Sequence, residues 1–139
     1  MKDETTYETL KQAALEGLSK AYAPYSGFAV GAAVVGESGR IYSGCNVENA
    51  SYGLTNCAER TAIFKAISAG ETRLQRLLVI ADTDGPLAPC GACRQVMWEF
   101  GIREAILCNL RGESKVVLLS ELLPYAFGPE LLKGASQNE

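Results

Sequence analysis

The sequence predicts an α/β fold: a mixed five-stranded sheet with helices on its faces. Three observations point there. Leu10, Ala14, Leu18 and Tyr22 recur every four residues, the spacing of an amphipathic helix. The run 77–81 (LLVIA) is continuously apolar, as in a strand buried on both faces. Along the chain the elements follow the order α-β-β-α-β-α-β-β-α, which packs as helices against a sheet.

Each element has its own local signals. Thr5-Thr6-Tyr7-Glu8 reads as a capping box, with Glu8 three residues after Thr5, and the helix that follows is stopped by Pro24. Residues 28–35 and 40–47 are strand-like, joined by the hairpin loop Gly36-Glu37-Ser38-Gly39. Asn56 is placed to cap a second helix over 57–69, closed by Gly70. After the apolar strand, a loop rich in Asp, Gly and Pro (83–89) leads to a third helix over 90–100, closed by Gly101. Residues 105–108 and 115–119 read as two more strands, and Ser120 as the cap of a short helix stopped by Pro124. No repeat or linker interrupts this order. A single domain over 1–139 is expected, with flexible ends at 1–4 and 134–139.

Composition narrows the chemistry. A chain of 139 residues and 14.9 kDa, 47% hydrophobic and 21% charged, is long and apolar enough for its own core and matches neither a disordered nor a fibrous protein. No apolar run approaches the roughly 20 residues that cross a bilayer, and Met1-Lys2-Asp3-Glu4 does not open like a signal peptide. A cytoplasmic protein without a membrane partner is expected. There is no histidine, which excludes any mechanism resting on an imidazole base or ligand. Five cysteines without an export signal point to thiols used as ligands, nucleophiles or small core residues. A net charge of −3 and no Lys/Arg cluster argue against a nucleic-acid partner.

The chemistry-bearing residues are Cys57-Ala58-Glu59 and Pro89-Cys90-Gly91-Ala92-Cys93. Cys90 and Cys93, three apart at a helix start, present their sulfurs on one face. Cys57 opens the preceding helix, and the strand between can bring the two helix starts side by side. Three thiolates would hold one zinc, leaving its fourth position open, the pattern of a catalytic site. Both helix N-termini would favour the thiolates, with the guanidiniums of Arg60 and Arg94 spreading the excess negative charge. A C-x-E at one helix start with P-C-x-x-C at the next is the signature of zinc deaminases. Other readings stay open. C-x-x-C also serves as a redox dithiol, and a closed four-thiolate site would recruit Cys45 or Cys108, which otherwise read as small buried residues. Glu59 would act on the attacking water, or else be the acid of a capping box. Arg60 would support the metal or form a surface ion pair.

These residues carry a resemblance to a known family. Ala23-Pro24-Tyr25-Ser26, the segment from Gly44 to Tyr52, Cys57-Ala58-Glu59-Arg60-Thr61-Ala62 and the segment from Pro89 to Gln95 resemble the small, homotetrameric cytidine deaminases, over nearly the whole stretch 10–127. The resemblance implies a three-layer α/β/α fold and one zinc per subunit on Cys57, Cys90 and Cys93. It also implies deamination of cytidine and deoxycytidine in pyrimidine salvage, with Glu59 as the proton shuttle. It further implies that Asn46 and Glu48 hold the ribose hydroxyls, Phe28 packs on the base, and backbone groups of Ala58 and the Cys90 region read the pyrimidine edge. Tyr52 and Phe127 match residues that reach a neighbouring subunit's site. Tyr125 departs from the pattern, being bulky where a small residue is usual. Deamination of another heterocycle, editing of a polynucleotide and a non-catalytic zinc module are the competing functions. The ribose pair argues against the first, the acidic charge against the second, and ammonia release from cytidine separates out the third.

Overall fold

The structure, a computed structural model, describes residues 2–133, with side chains from Thr6 to Leu132. Helix α1 (Lys2–Leu18) leads into the hairpin β1 (Val30–Gly36) and β2 (Ile41–Cys45). A short 3-10 turn (Tyr52–Leu54) precedes α2 (Ala58–Ser68), β3 (Leu74–Ala81) and α3 (Gly91–Glu99). The chain then runs through β4 (Glu104–Asn109), β5 (Ser114–Leu118), α4 (Leu119–Leu122) and α5 (Pro129–Lys133).

The five strands form one sheet in the order β2-β1-β3-β4-β5. Only β3 and β4 are parallel, because α3 carries the chain back across the sheet between them; the other pairs are antiparallel. Strand alternation divides the core cleanly. Ala33, Val35, Leu78, Ile80, Ile106 and Cys108 face α1 with its Leu10 and Ala14. Ala32, Val34, Leu77, Val79, Ala105 and Leu107 face the opposite way, toward Ala62 and Ile63 of α2 and Met97 of α3. This is the expected mixed sheet with helices on both faces. At Gly44 a Cβ would lie 2.4 Å from the backbone N of Ala62 and 2.7 Å from the carbonyl of Ala58, so α2 rests directly on the β2 backbone.

Several boundaries differ from the sequence expectation. Helix α1 starts at Lys2, which puts Thr5 inside it, and ends at Leu18. Tyr22, expected as its last apolar position, instead forms a parallel bridge with Val47 and is exposed. Strand β2 stops at Cys45, because Val47 is drawn into that bridge and into an antiparallel one with Asn56. Strand β3 begins three residues earlier than the apolar run, at Leu74, paired with Gly36. Ser120 lies within α4, whose N-cap is Leu118, and α5 follows beyond the segment stopped by Pro124. Gly70 and Gly101 close α2 and α3 at φ 108° and 84°, as expected. Of the ends expected to be flexible, Met1 and residues 134–139 lie outside the described residues, and 2–4 enter only as the first turn of α1.

Candidate metal centre

Cys57 and Cys90 hold equivalent places. Each is the last extended residue before a helix, at φ −73°, ψ 156° ahead of α2 and φ −71°, ψ 170° ahead of α3. A Ser or Asp there would fold back onto the free N–H groups of the first turn. Neither thiol does so, which leaves both sulfurs available to a shared ion. The two Sγ atoms stand 3.7 Å apart. Cys93, buried one turn into α3, completes a cluster in which all three sulfurs lie within 4.8 Å of one another. A tetrahedral zinc with Zn–S near 2.3 Å requires sulfur–sulfur edges of about 3.8 Å. The donor set and its spacing fit that ion.

The charges agree with the geometry. Donation from the Cys93 thiol, helped by Arg60, lowers the Cys57 thiol to about 5, while Cys93, as the donor and by its burial, is pushed up. Arg60 lies on the same side of α2 as Cys57 and donates Nη2 to its Sγ at 3.4 Å, which pushes the guanidinium pKa up. Its Nε is buried with no hydrogen-bond partner among the described residues. Arg60 is thus directed at the Cys57 sulfur.

Glu59 is 4% exposed, beside the cluster. Burial first, then the negative Cys57, raises its carboxyl to about 7. The capping-box alternative fails here. Helix α2 starts one residue later than expected, with Cys57 as N-cap, so Glu59 is its second residue. Asn56 is not the cap because its backbone N–H and C=O are both committed to Val47, at 2.9 Å each, and its side chain donates to Thr61 Oγ1.

Two other expectations, for Cys45 and Arg94, are corrected. Cys45 is half-buried rather than buried, since β2 is an edge strand, and its thiol donates to the Lys20 carbonyl at 3.4 Å. Cys108 is buried as expected, and among the described residues neither joins the cluster, so no four-thiolate site forms. Arg94 turns away from the sulfurs and donates to the carbonyls of Pro89 (2.8 Å) and Leu122 (2.9 Å).

Of the residues matched to nucleoside binding, Phe28, Asn46, Glu48, Ala58 and, through Tyr25, Tyr52 gather around the end of β2, whereas Phe127 stands against Gln95 of α3. The Tyr22–Val47–Asn56 bridges fasten residues 46–48 between the chain leaving α1 and the chain entering α2. Asn46 is buried; its Nδ2 donates to the Phe28 carbonyl (2.8 Å) and its Oδ1 accepts from Val30 N–H (2.9 Å), which fixes the backbone on which the half-exposed Phe28 stands. Glu48 accepts from the N–H groups of Tyr25 (2.9 Å) and Ser26 (3.1 Å) and from the Ser26 hydroxyl, and these bonds hold its carboxyl below its ordinary range. Ser26 is the partner whose role sequence reasoning missed, although a Ser hydroxyl commonly takes the backbone N–H two residues on, as it does here from Phe28 (3.0 Å). Ala58, buried, starts α2. Tyr52 is exposed and meets Tyr25 edge to face at 6.1 Å. Phe127 is exposed, and next to it Tyr125 is fully exposed with a left-handed φ of 55°.

Residues 4–109 match the model of the cytidine and deoxycytidylate deaminase zinc-binding region. A cytidine deaminase of Sporosarcina psychrophila is 52% identical over 120 residues, covering 85% of this chain and 88% of that protein. One from Halalkalibacterium halodurans is 50% identical over 125 residues, covering 88% and 95%. The crystal structure of cytidine deaminase from Burkholderia pseudomallei superposes with a TM-score of 0.83 at 52% identity, covering 86% of this chain and 98% of that one. Three thiols poised for one zinc, a buried carboxyl beside them, and a match that spans both place this chain in the zinc-binding cytidine and deoxycytidylate deaminase family.

Proposed function

We propose that the protein hydrolyses cytidine and 2′-deoxycytidine to uridine and 2′-deoxyuridine, releasing ammonia. The observation that carries this reading is the convergence of three sulfurs from two helix starts on a site that already holds one buried carboxyl. Cys57, Cys90 and Cys93 would hold one zinc per subunit. When bound, zinc acts as the Lewis acid that makes a hydroxide nucleophile available near neutral pH.

The chain's own residues supply the rest. Glu59 takes one proton of the attacking water and hands it to the ring nitrogen beside the reacting carbon. It then takes the second proton of that oxygen, which becomes the product carbonyl, and gives it to the amine, which leaves as ammonia. One carboxyl moving protons both ways suits a site without histidine. Arg60 balances the charge of Cys57. Phe28 packs on the base, backbone groups of Ala58 and the Cys90 region read the pyrimidine edge, and Asn46 and Glu48 take the ribose hydroxyls. Glu48 keeps acceptor capacity for this, since each carboxylate oxygen has two lone pairs. Tyr52 and Phe127 complete the site of a neighbouring subunit in a homotetramer of single-domain chains. A cytoplasmic role in pyrimidine salvage accords with this reading, and no described helix is long and apolar enough to cross a membrane.

The test is ammonia release from cytidine by the wild type and by Glu59→Gln. The variant is expected to keep its zinc and its thermal midpoint but lose about 10²–10⁴-fold or more in kcat. Turnover near the wild-type rate would remove Glu59 as the shuttle, and a wild type that leaves cytidine untouched would remove the proposed reaction.

A further inference from the structure

Arg94 and Gln95 follow the last metal-site cysteine on α3, and both side chains reach for main-chain carbonyls. Arg94 spreads its fork between two places: Nε to Pro89, the residue before Cys90, and Nη1 to Leu122, the last residue of α4. Gln95 donates Nε2 to the Phe127 carbonyl at 2.6 Å. Leu122 and Phe127 bracket the turn that holds Tyr125 at its left-handed φ and presents both aromatic rings to solvent. Leu122 packs against the core and Gly128 is buried, but Tyr125 and Phe127 between them bury little apolar surface of their own. The helix that supplies Cys93 and follows Cys90 reaches both ends of the segment with side-chain hydrogen bonds.

We propose that Arg94 and Gln95 are positioning residues that register the 122–127 segment against the metal helix, so that the pose of Phe127 is set by its own subunit's metal centre. The inference rests on the reading of Phe127 as a contact to the neighbouring subunit's nucleoside. The two residues divide the task. Gln95 holds the Phe127 end through one hydrogen bond. Arg94 joins the other end of the segment to the loop that enters Cys90, and its planar fork serves two carbonyls in different directions, which a lysine ammonium cannot reproduce from one point.

The test compares Gln95→Glu, Arg94→Lys and Phe127→Ala, each as zinc-loaded enzyme acting on cytidine. Loss of a contact that binds ground and transition states alike raises KM and spares kcat, and Phe127 is read here as such a contact. Gln95→Glu keeps the shape but replaces the donor. It is expected to raise KM about fivefold, the worth of one ordinary hydrogen bond, with kcat, zinc content and the rate of zinc release to a chelator unchanged. Combined with Phe127→Ala it should add nothing further to KM. Arg94→Lys should raise KM and also speed zinc release, because Pro89 is freed beside Cys90. If Phe127→Ala raises KM while Gln95→Glu leaves it at the wild-type value, this inference fails alone. Parallel loss of kcat, zinc and thermal midpoint in Gln95→Glu would likewise reduce Gln95 to a stabilising contact and overturn it. Wild-type KM in Phe127→Ala would overturn the underlying reading of Phe127, and this inference with it.

Discussion

At Cys57 and Cys90 the helix cap and the metal ligand are the same residue. A thiol is a weak hydrogen-bond partner for backbone N–H groups, so a cysteine at this position gives up cap stability and keeps its sulfur free. The first-turn N–H groups then point at a site that is negative once the thiols ionise, where the helix ends favour the charge. Glu59, two residues on, is carried inward by the same turn of α2, and burial raises its pKa. Tyr125 shows the reverse balance. A left-handed φ costs an L-residue about 1–2 kcal/mol, and with its side chain fully exposed no packing within the chain offsets that. Tyr125→Gly is therefore expected to stabilise the chain by roughly 0.5–1 kcal/mol, after the entropy that glycine adds to the unfolded state. Thermal or urea unfolding measures this, and a lower midpoint in the variant would contradict the strain.

Between elements, the site depends on how α2 sits on the hairpin. Gly44 brings the β2 backbone against the first turns of α2, the helix that Cys57 caps. Gly44→Ala would press a methyl into that backbone, with an expected loss of about 1–3 kcal/mol and faster zinc release as Cys57 shifts. Gly85→Ala, where a Cβ meets nothing within 4 Å, serves as the control and should change neither. A Gly44→Ala variant with unchanged stability and zinc retention would show that the close approach has no bearing on the site. The same contact explains what sequence could and could not reveal. The grouping of Cys57, Cys90 and Cys93 and the sheet's apolar strands were legible, because their signals are local spacing and periodicity. The start of α2 was not, because Asn56 answers to Val47, nine residues away in the chain, rather than to its own helix. Arg94 was misassigned for a similar reason: its charge is visible in the sequence, but its carbonyl partners at Leu122 and Pro89 are set by tertiary packing.

For the whole molecule, the proposed reading has the exposed Tyr52 and Phe127 reach into neighbouring subunits. On the proposed reading light scattering after size exclusion should give about four times the 14.9 kDa chain mass, and a monomer that turns over cytidine at full rate would refute the shared sites. The sequence could suggest this assembly only through resemblance, since a single chain carries no periodicity for a neighbour. The account as a whole depends on three sulfurs holding an ion whose fourth position is free for the reaction. X-ray absorption at the zinc edge of the purified protein reads that directly. Three sulfurs near 2.3 Å and one lighter oxygen or nitrogen neighbour per zinc are expected. Four sulfurs, or zinc bound without the sulfurs of Cys57, Cys90 and Cys93, would contradict it.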